Sequence, residues 1–198
     1  TTPAQSINYI SCHDNNTLFD HITMVATGAS EADKIAMNKL GVAFYMSAQV
    51  IPFFQAGEEM LRTKGGDENS YMSSDEVNNI DWSVLKEGSA EYEMMLYYKG
   101  LIEMRKTFGI FSANASNIQY TQLGSGVVAV TFDDGNGGKA LFVMNPNKTA
   151  LPYALDGEWN LVANGESAGS AVLARHSGNI TVPAMSVAVY VSDALLNG

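Results

Sequence analysis

The five-residue run Val50-Ile51-Pro52-Phe53-Phe54 constrains this chain more than any other feature. It is wholly apolar and rich in β-branched and aromatic side chains. Pro52 prevents it from continuing the helix predicted before it. A short, uniformly apolar run of this kind reads as a strand buried on both faces. Such a strand needs helices to cover it, and the neighbouring sequence supplies them. Residues 33–48 read as a helix whose apolar positions Ile35, Met37, Leu40, Val42, Ala43, Phe44 and Met46 surround it almost completely, with Ser30 or Asp33 as its cap. Residues 7–11 read as an earlier strand, 16–26 as a short helix or ordered turn, and 89–108 as a third helix. Tyr92, Met95, Leu96, Leu101, Ile102 and Met104 form the apolar set of that third helix. Strands alternating with helices predict parallel βα units.

The patterning changes near residue 109. Gly and Asn become frequent, and short apolar runs recur at 118–123, 127–132, 140–145, 159–162, 178–182 and 186–191. Residues 134–138, Asp-Gly-Asn-Gly-Gly, make a hairpin turn between two of them. Short strands at close spacing predict an antiparallel β-sandwich. The expected division is an α/β portion over 1–108 and an all-β sandwich domain over 109–198.

Charge and cysteine content narrow the function classes. The chain of 198 residues carries a net charge of −10, which disfavours nucleic acid and anionic membrane surfaces as partners. At 46% hydrophobic and 16% charged residues, it can build a core rather than remain a disordered acidic segment. A single cysteine, Cys12, excludes an internal disulfide and a Cys-based zinc cluster. The most apolar stretch, 40–56, is interrupted by Ser47, Gln49, Pro52 and Gln55 and does not read as a membrane span. The opening residues Thr1 to Gln5 lack a leader pattern and an initiator Met, so the expectation is a chain cut from something longer. Secreted and cytoplasmic locations both remain open.

Candidate chemistry follows the two strands. The first runs into His13-Asp14-Asn15, a polar cluster at the carboxyl end of a strand, where parallel α/β folds place functional groups. Two other readings compete: Asp14 or Asn15 as a helix cap, and a zinc site from Cys12, His13 and His21. The second strand runs into Glu58-Glu59, a pair that also suits a helix N-terminus. Residues 61–88 then lack clear periodicity, and a loop of that length in a compact domain is functional or disordered. It carries Arg62, Lys64, Asp67, Glu68, Asn69, Tyr71, Asn78, Asn79, Asp81 and Trp82. Asp and Asn side chains can bind sugar hydroxyls while an aromatic ring covers a pyranose face; a solvated loop with one buried Trp is the bland alternative.

The segments SINYISCHDNNTLFDHI and QVIPFFQAGEEMLRTKGGDENSYMSSDEVNNIDW resemble the C-terminal part of the catalytic domain of type I pullulanases, in glycoside hydrolase family 13 of the α-amylase superfamily. The resemblance covers roughly residues 5–108 and rests on His-Asp-Asn, Ala-Gly-x-Glu, R-x-K-G-G-D-x-N-S-Y and N-x-I-D-W. It implies that the two strands are the seventh and eighth of a (β/α)8 barrel, followed by an all-β domain. It implies a starch, glycogen or pullulan debranching enzyme that hydrolyses α-1,6-glucosidic linkages with retention. No cofactor is expected and no metal-binding residue is assigned, while scattered carboxylates do not decide calcium dependence. Asp14 matches the family's transition-state-stabilising carboxylate and His13 its sugar-contacting partner. Asn15, Arg62, Asp67, Asn69 and Tyr71 match substrate-binding positions, whereas Glu58 departs from the Gln of many relatives. Such a carboxylate is useful because hydrogen bonds to the sugar 2-hydroxyl strengthen in the oxocarbenium-like transition state.

The nucleophile and acid/base come, in that family, from the fourth and fifth barrel strands, which this chain lacks. The isolated piece is therefore expected to be inactive. Two barrel strands alone would also leave apolar faces uncovered, so self-association is expected. The rival readings are a non-catalytic carbohydrate-binding module, using Trp159 and Tyr153, and a structural module. Buttressing by the β domain is favoured, because its aromatics fall at strand positions where core packing is the default.

Overall fold

A computed structural model describes residues 5–49, 51–112 and 117–197. It opens with β1 (Ile7–Asn8), α1 (Leu18–Val25), α2 (Glu31–Met46) and β2 (Ile51–Pro52). β1 and β2 pair in parallel, with Ile7 opposite Ile51 and Asn8 opposite Pro52. Both strands are shorter than the sequence predicts; Val50 and residues 1–4, on which the expected second strand and leader-free start partly fall, lie outside the described residues. Between β2 and the next long helix come a 3-10 turn Glu58–Met60, further short turns and α3 (Asp75–Asn78), followed by α4 (Ala90–Thr107).

Each longer helix starts on a side-chain cap. The hydroxyls of Thr17, Ser30 and Ser89 accept the N–H groups of Asp20, Asp33 and Tyr92 at 3.2, 3.1 and 3.2 Å. Thr17, rather than Asp14 or Asn15, therefore caps α1. The end of α2 has no basic residue of its own. Arg105 of α4 supplies the donor, reaching the carbonyls of Met46 at 2.6 Å and Ala48 at 2.5 Å.

The helices bury one side each. On α2 the buried set is Asn38, Val42, Ala43, Tyr45 and Met46, while Phe44 is exposed, so this helix is not covered all round as its composition predicts. On α4 the buried stripe is Met94, Tyr97, Tyr98, Leu101, Met104 and Arg105. The set expected there is offset: Leu96 is exposed, because the tyrosines pack inward by their rings and spend their hydroxyls on buried acceptors.

The remaining strands are β3 (Asn117–Gln122), β4 (Val128–Asp133), β5 (Lys139–Asn145), β6 (Leu151–Ala163), β7 (Ala174–Val182) and β8 (Ser186–Val191), and α5 (Asp193–Leu196) closes the described chain. They form one antiparallel sheet in the order β3-β4-β5-β8-β6-β7. The turn between β4 and β5 is the one expected: Asp134 Oδ1 accepts the N–H of Asn136 at 2.7 Å and of Gly138 at 2.9 Å. β6 and β7 are longer than predicted, and their pairing shifts register between Leu155 and Glu158.

Alternation along the strands divides the sheet's side chains between two cores. Phe132, Phe142, Val187, Val189 and Val191 join the buried residues of α2 and α4. Leu141, Val143, Ala188 and Tyr190 point the other way, where they meet Leu155, Trp159, Leu161 and Val182. The architecture is thus a mixed α/β unit whose six-stranded antiparallel sheet is of β-sandwich type.

Candidate functional site

The segment between β1 and α1 forms the rim. Asn15 adopts a left-handed conformation at φ 74°, and its side-chain oxygen accepts the N–H of Asn16 at 2.9 Å. Asn tolerates this backbone better than most residues because its short amide bonds locally. The turn leaves His13 and Asp14 outside, with side chains 82% and 87% exposed, and Nδ1 of His13 lies 3.1 Å from Oδ1 of Asp14. Asn16 turns inward and donates from Nδ2 to the carbonyl of Gly66 at 3.0 Å.

The long loop after β2 is ordered by polar groups. Buried Asp20 of α1 accepts the N–H of Lys64 at 2.7 Å and the hydroxyl of Thr63. Lys64 donates to Ser70 Oγ at 2.6 Å, and Ser70 Oγ donates to Asn78 Oδ1 at 2.9 Å. Asn78 answers by donating to the carbonyls of Ser70 and Ser73 at 2.6 and 3.1 Å. Arg62 lies within this network, donating to the carbonyl of Ala56 at 3.2 Å and to that of Asn78. Asp67 accepts from the Ser73 hydroxyl and from the Asn69 N–H, contacts that hold its carboxyl below the usual range.

The structure brings part of the expected set together. Asp14 and Asn15 line a shallow cavity of about 290 Å³ with Glu68 and Asn69. His13 reaches the site by its contact with Asp14. Arg62 spends its two terminal nitrogens on the carbonyls of Ala56 and Asn78, Asp67 bonds within the loop, and Tyr71 lies outside that lining, 79% exposed. Trp82, read in the bland alternative as a buried residue, is 62% exposed. Glu59 lines a different cavity, with Phe54, Met95, Tyr98, Lys99 and Ile102, and accepts the Gly57 N–H at 2.8 Å. Asp14 and Glu59 therefore do not share a site. Among the described residues, no group of three or more His, Cys, Asp or Glu side chains is arranged to hold a metal ion, and no helix is long and apolar enough to cross a membrane.

Sequence reasoning missed the anchors of this site: Asn16, Asp20, Ser70 and the buried carboxyl of Glu58. The Thr17-x-x-Asp20 spacing signals a helix start, but nothing local shows that Asp20 reaches a loop more than forty residues away. In the sheet, Trp159 is buried and donates to the Asp156 carbonyl at 3.0 Å, and half-buried Tyr153 packs on the second core. These contacts fit buttressing and leave no flat exposed Trp159 ring for a sugar.

No protein-family model matches the chain. A pullulanase of Bacillus subtilis (strain 168) is 37% identical over 118 residues, covering 59% of this chain and 16% of that protein. The solved pullulanase of Bacillus acidopullulyticus superposes with a TM-score of 0.86 at 33% identity, over 94% of this chain and 24% of its own. A pullulanase of Anoxybacillus sp. LM18-11, solved in complex with maltotetraose, gives a TM-score of 0.82 at 29% identity, over 96% of this chain and 28% of its own. The chain spans less than a third of the length of each of these relatives. Sequence and fold agree along most of its length: this chain is a segment of pullulanase type.

Proposed function

We propose that this chain is the part of an α-1,6-glucan debranching enzyme that supplies the transition-state-stabilising carboxylate, Asp14. The observation that carries the reading is the placement of Asp14: exposed in the segment that leads from the parallel strand β1 to α1, in one cavity with Asn69 of a loop that a buried aspartate holds in place. Cleavage of a glucosidic bond develops positive charge at the anomeric carbon and ring oxygen. A carboxylate at the sugar 2-hydroxyl, with His13 beside it, binds that state more strongly than the ground state. Asn15 and Asn69 offer amides for neighbouring hydroxyls. Tyr71 offers an exposed ring, and Arg62 and Asp67 serve by shaping the loop.

The parallel pairing of β1 and β2 supports their reading as the last two strands of a (β/α)8 barrel, with residues 109–198 as the sandwich domain that buttresses it. A retaining mechanism needs two carboxyl groups about 5 Å apart besides this one. Glu58 is buried and Glu59 faces another cavity, so we assign the nucleophile and acid/base to the remainder of the enzyme and expect this segment alone to be inactive. The substrate class is α-glucan: pullulan, limit dextrin or glycogen. The maltotetraose complex of the Anoxybacillus relative supports that class.

The test is turnover of pullulan by the intact protein carrying Asp14→Ala. The expected result is a loss of about a hundred- to a thousandfold in kcat, the scale for removing a group that stabilises transition-state charge. An unchanged kcat would remove Asp14 from the reaction.

A further inference from the structure

Behind the rim lies a buried carboxyl group that the proposed reaction does not use. Glu58 sits on the 3-10 turn after β2 and is only 5% exposed. One carboxyl oxygen accepts the hydroxyl of Tyr45 from α2 at 2.7 Å and that of Tyr98 from α4 at 2.6 Å. The other accepts the hydroxyl of Ser11, three residues before Asp14. A single carboxyl thus joins the turn after β2, both core helices and the segment leading to the rim. The turn that presents it is itself fixed: Gly57 and Leu61 at its ends are left-handed, at φ 98° and 55°.

We propose that Glu58 is a positioning residue for the rim: by holding Ser11 against α2 and α4, it sets where His13 and Asp14 stand. This inference rests on the debranching reading for its effect on turnover, but the grip itself is independent of it. The groups facing Glu58 are Ser11, Tyr45, Tyr98 and, on its own turn, Glu59, and none of these is a cation. Burial is the dominant influence on the Glu58 carboxyl and raises it above the usual range, the charge of Glu59 acts in the same direction, and the three hydroxyl donors only partly oppose them. The neutral form is therefore the one favoured by the fold. Protonated, the second oxygen can donate to Ser11 Oγ while the first still accepts both tyrosines, so the grip survives neutralisation. Ionised, the carboxylate is satisfied by three donors but has no counter-charge among the groups that face it.

Because folding raises the affinity of this group for its proton, its stabilising contribution is complete below the unfolded value and declines as pH rises through the folded one. Glu58→Gln imitates the neutral form: its Oε1 can accept both tyrosines and its Nε2 can donate to Ser11.

The experiment compares the intact parent protein with Glu58→Gln and Glu58→Ala, each read three ways. In thermal unfolding, Glu58→Gln should melt above the parent at about pH 8 and converge with it below about pH 4, where a free glutamate is protonated. In turnover of pullulan, Glu58→Gln, which can keep all three hydrogen bonds, should hold kcat and KM within about twofold of the parent. Glu58→Ala should lose at least about tenfold in kcat, with Glu58→Gln restoring it. In NMR, the imidazole signal of His13 should move in Glu58→Ala and return in Glu58→Gln. A Glu58→Ala variant that folds and keeps the parental kcat would overturn the proposal, as would a His13 signal indifferent to Glu58→Ala. Should Glu58→Ala fail to fold, Ser11→Ala removes the same tie from the other side and decides in its place, with the same loss in kcat and the same move of the His13 signal expected. If no variant, the parent included, hydrolyses pullulan, the debranching reading fails, while melting and NMR still decide whether Glu58 positions the rim.

Discussion

Asp20 and Lys64 meet across the rim: the buried carboxylate on α1 accepts the backbone N–H of Lys64 at 2.7 Å and takes the hydroxyl of Thr63 on the same side chain. Asp20→Ala strands both donors. Thr63 is exposed and Lys64 half-buried, so water takes over part of each bond and the net loss is about 0.5–1.5 kcal/mol per hydrogen bond. The expected outcome is a lower melting temperature together with faster proteolytic cleavage between residues 61 and 70. Cleavage at the parental rate would show that the loop holds itself.

Gly100 marks where α4 meets the loop between β6 and β7. A Cβ added there would lie 2.0 Å from the carbonyl oxygen of Ala168, a backbone atom that cannot swing aside. Gly100→Ala must therefore push α4 away from the loop between β6 and β7. Overpacking of this kind costs about 1–3 kcal/mol. A denaturation midpoint equal to that of the parent would mean that the loop gives way freely.

Much of this architecture was legible in the sequence, for identifiable reasons. The short strand Ile51–Pro52, inside the run expected at 50–54, and the three helices follow from periodicity and from Ser and Thr caps, which are local signals. Six runs near the observed positions read as strands because turn residues separate them. The polar tethers were not legible. Arg62 reads as a substrate ligand by its place in a motif, yet its guanidinium bonds to the carbonyls of Ala56 and Asn78. The stripe of α4 was misplaced because Tyr97 and Tyr98 look amphipathic, and only the distant acceptors, the Asn164 carbonyl and Glu58, make their burial favourable. Partners remote in sequence leave no periodic trace.

The short parallel pair leaves Ile7, Tyr9, Ile10, Ile51 and Phe53 exposed, and the rings of Tyr9 and Phe53 pack edge to face at 5.9 Å. Contiguous apolar surface of this sort favours a partner. The segment expressed by itself should sediment above monomer mass, and Tyr9→Lys with Phe53→Lys should shift it towards monomer. A monomeric parent segment with the same secondary structure would count against this.

Tyr71 bonds its neighbours little and stands 79% exposed, so its removal should leave stability within about 0.5 kcal/mol of the parent. An exposed ring laid against a sugar contributes on the scale of other aromatic face contacts, about 1 kcal/mol. Tyr71→Ala should accordingly weaken maltotetraose binding by about fivefold in calorimetry. Unaltered affinity would move the sugar elsewhere, with exposed Trp82 the next ring to test.

Variants of Asp14 and Thr17 test the proposed catalytic role against capping. Both precede α1, but the Thr17 hydroxyl accepts the Asp20 N–H at 3.2 Å, whereas the Asp14 side chain is 87% exposed and pairs with His13. Loss of a cap costs about 1 kcal/mol. Thr17→Ala should therefore lower the melting temperature and leave kcat within about twofold, since the rim is also tied through Asn16 and Ser11. Asp14→Asn should do the reverse, keeping the melting temperature while turnover of pullulan collapses. The two variants distinguish a carboxylate that serves the reaction from one that serves the helix: if Asp14→Asn melts early and still turns over substrate, the rim aspartate belongs to the fold and the debranching assignment loses its central residue.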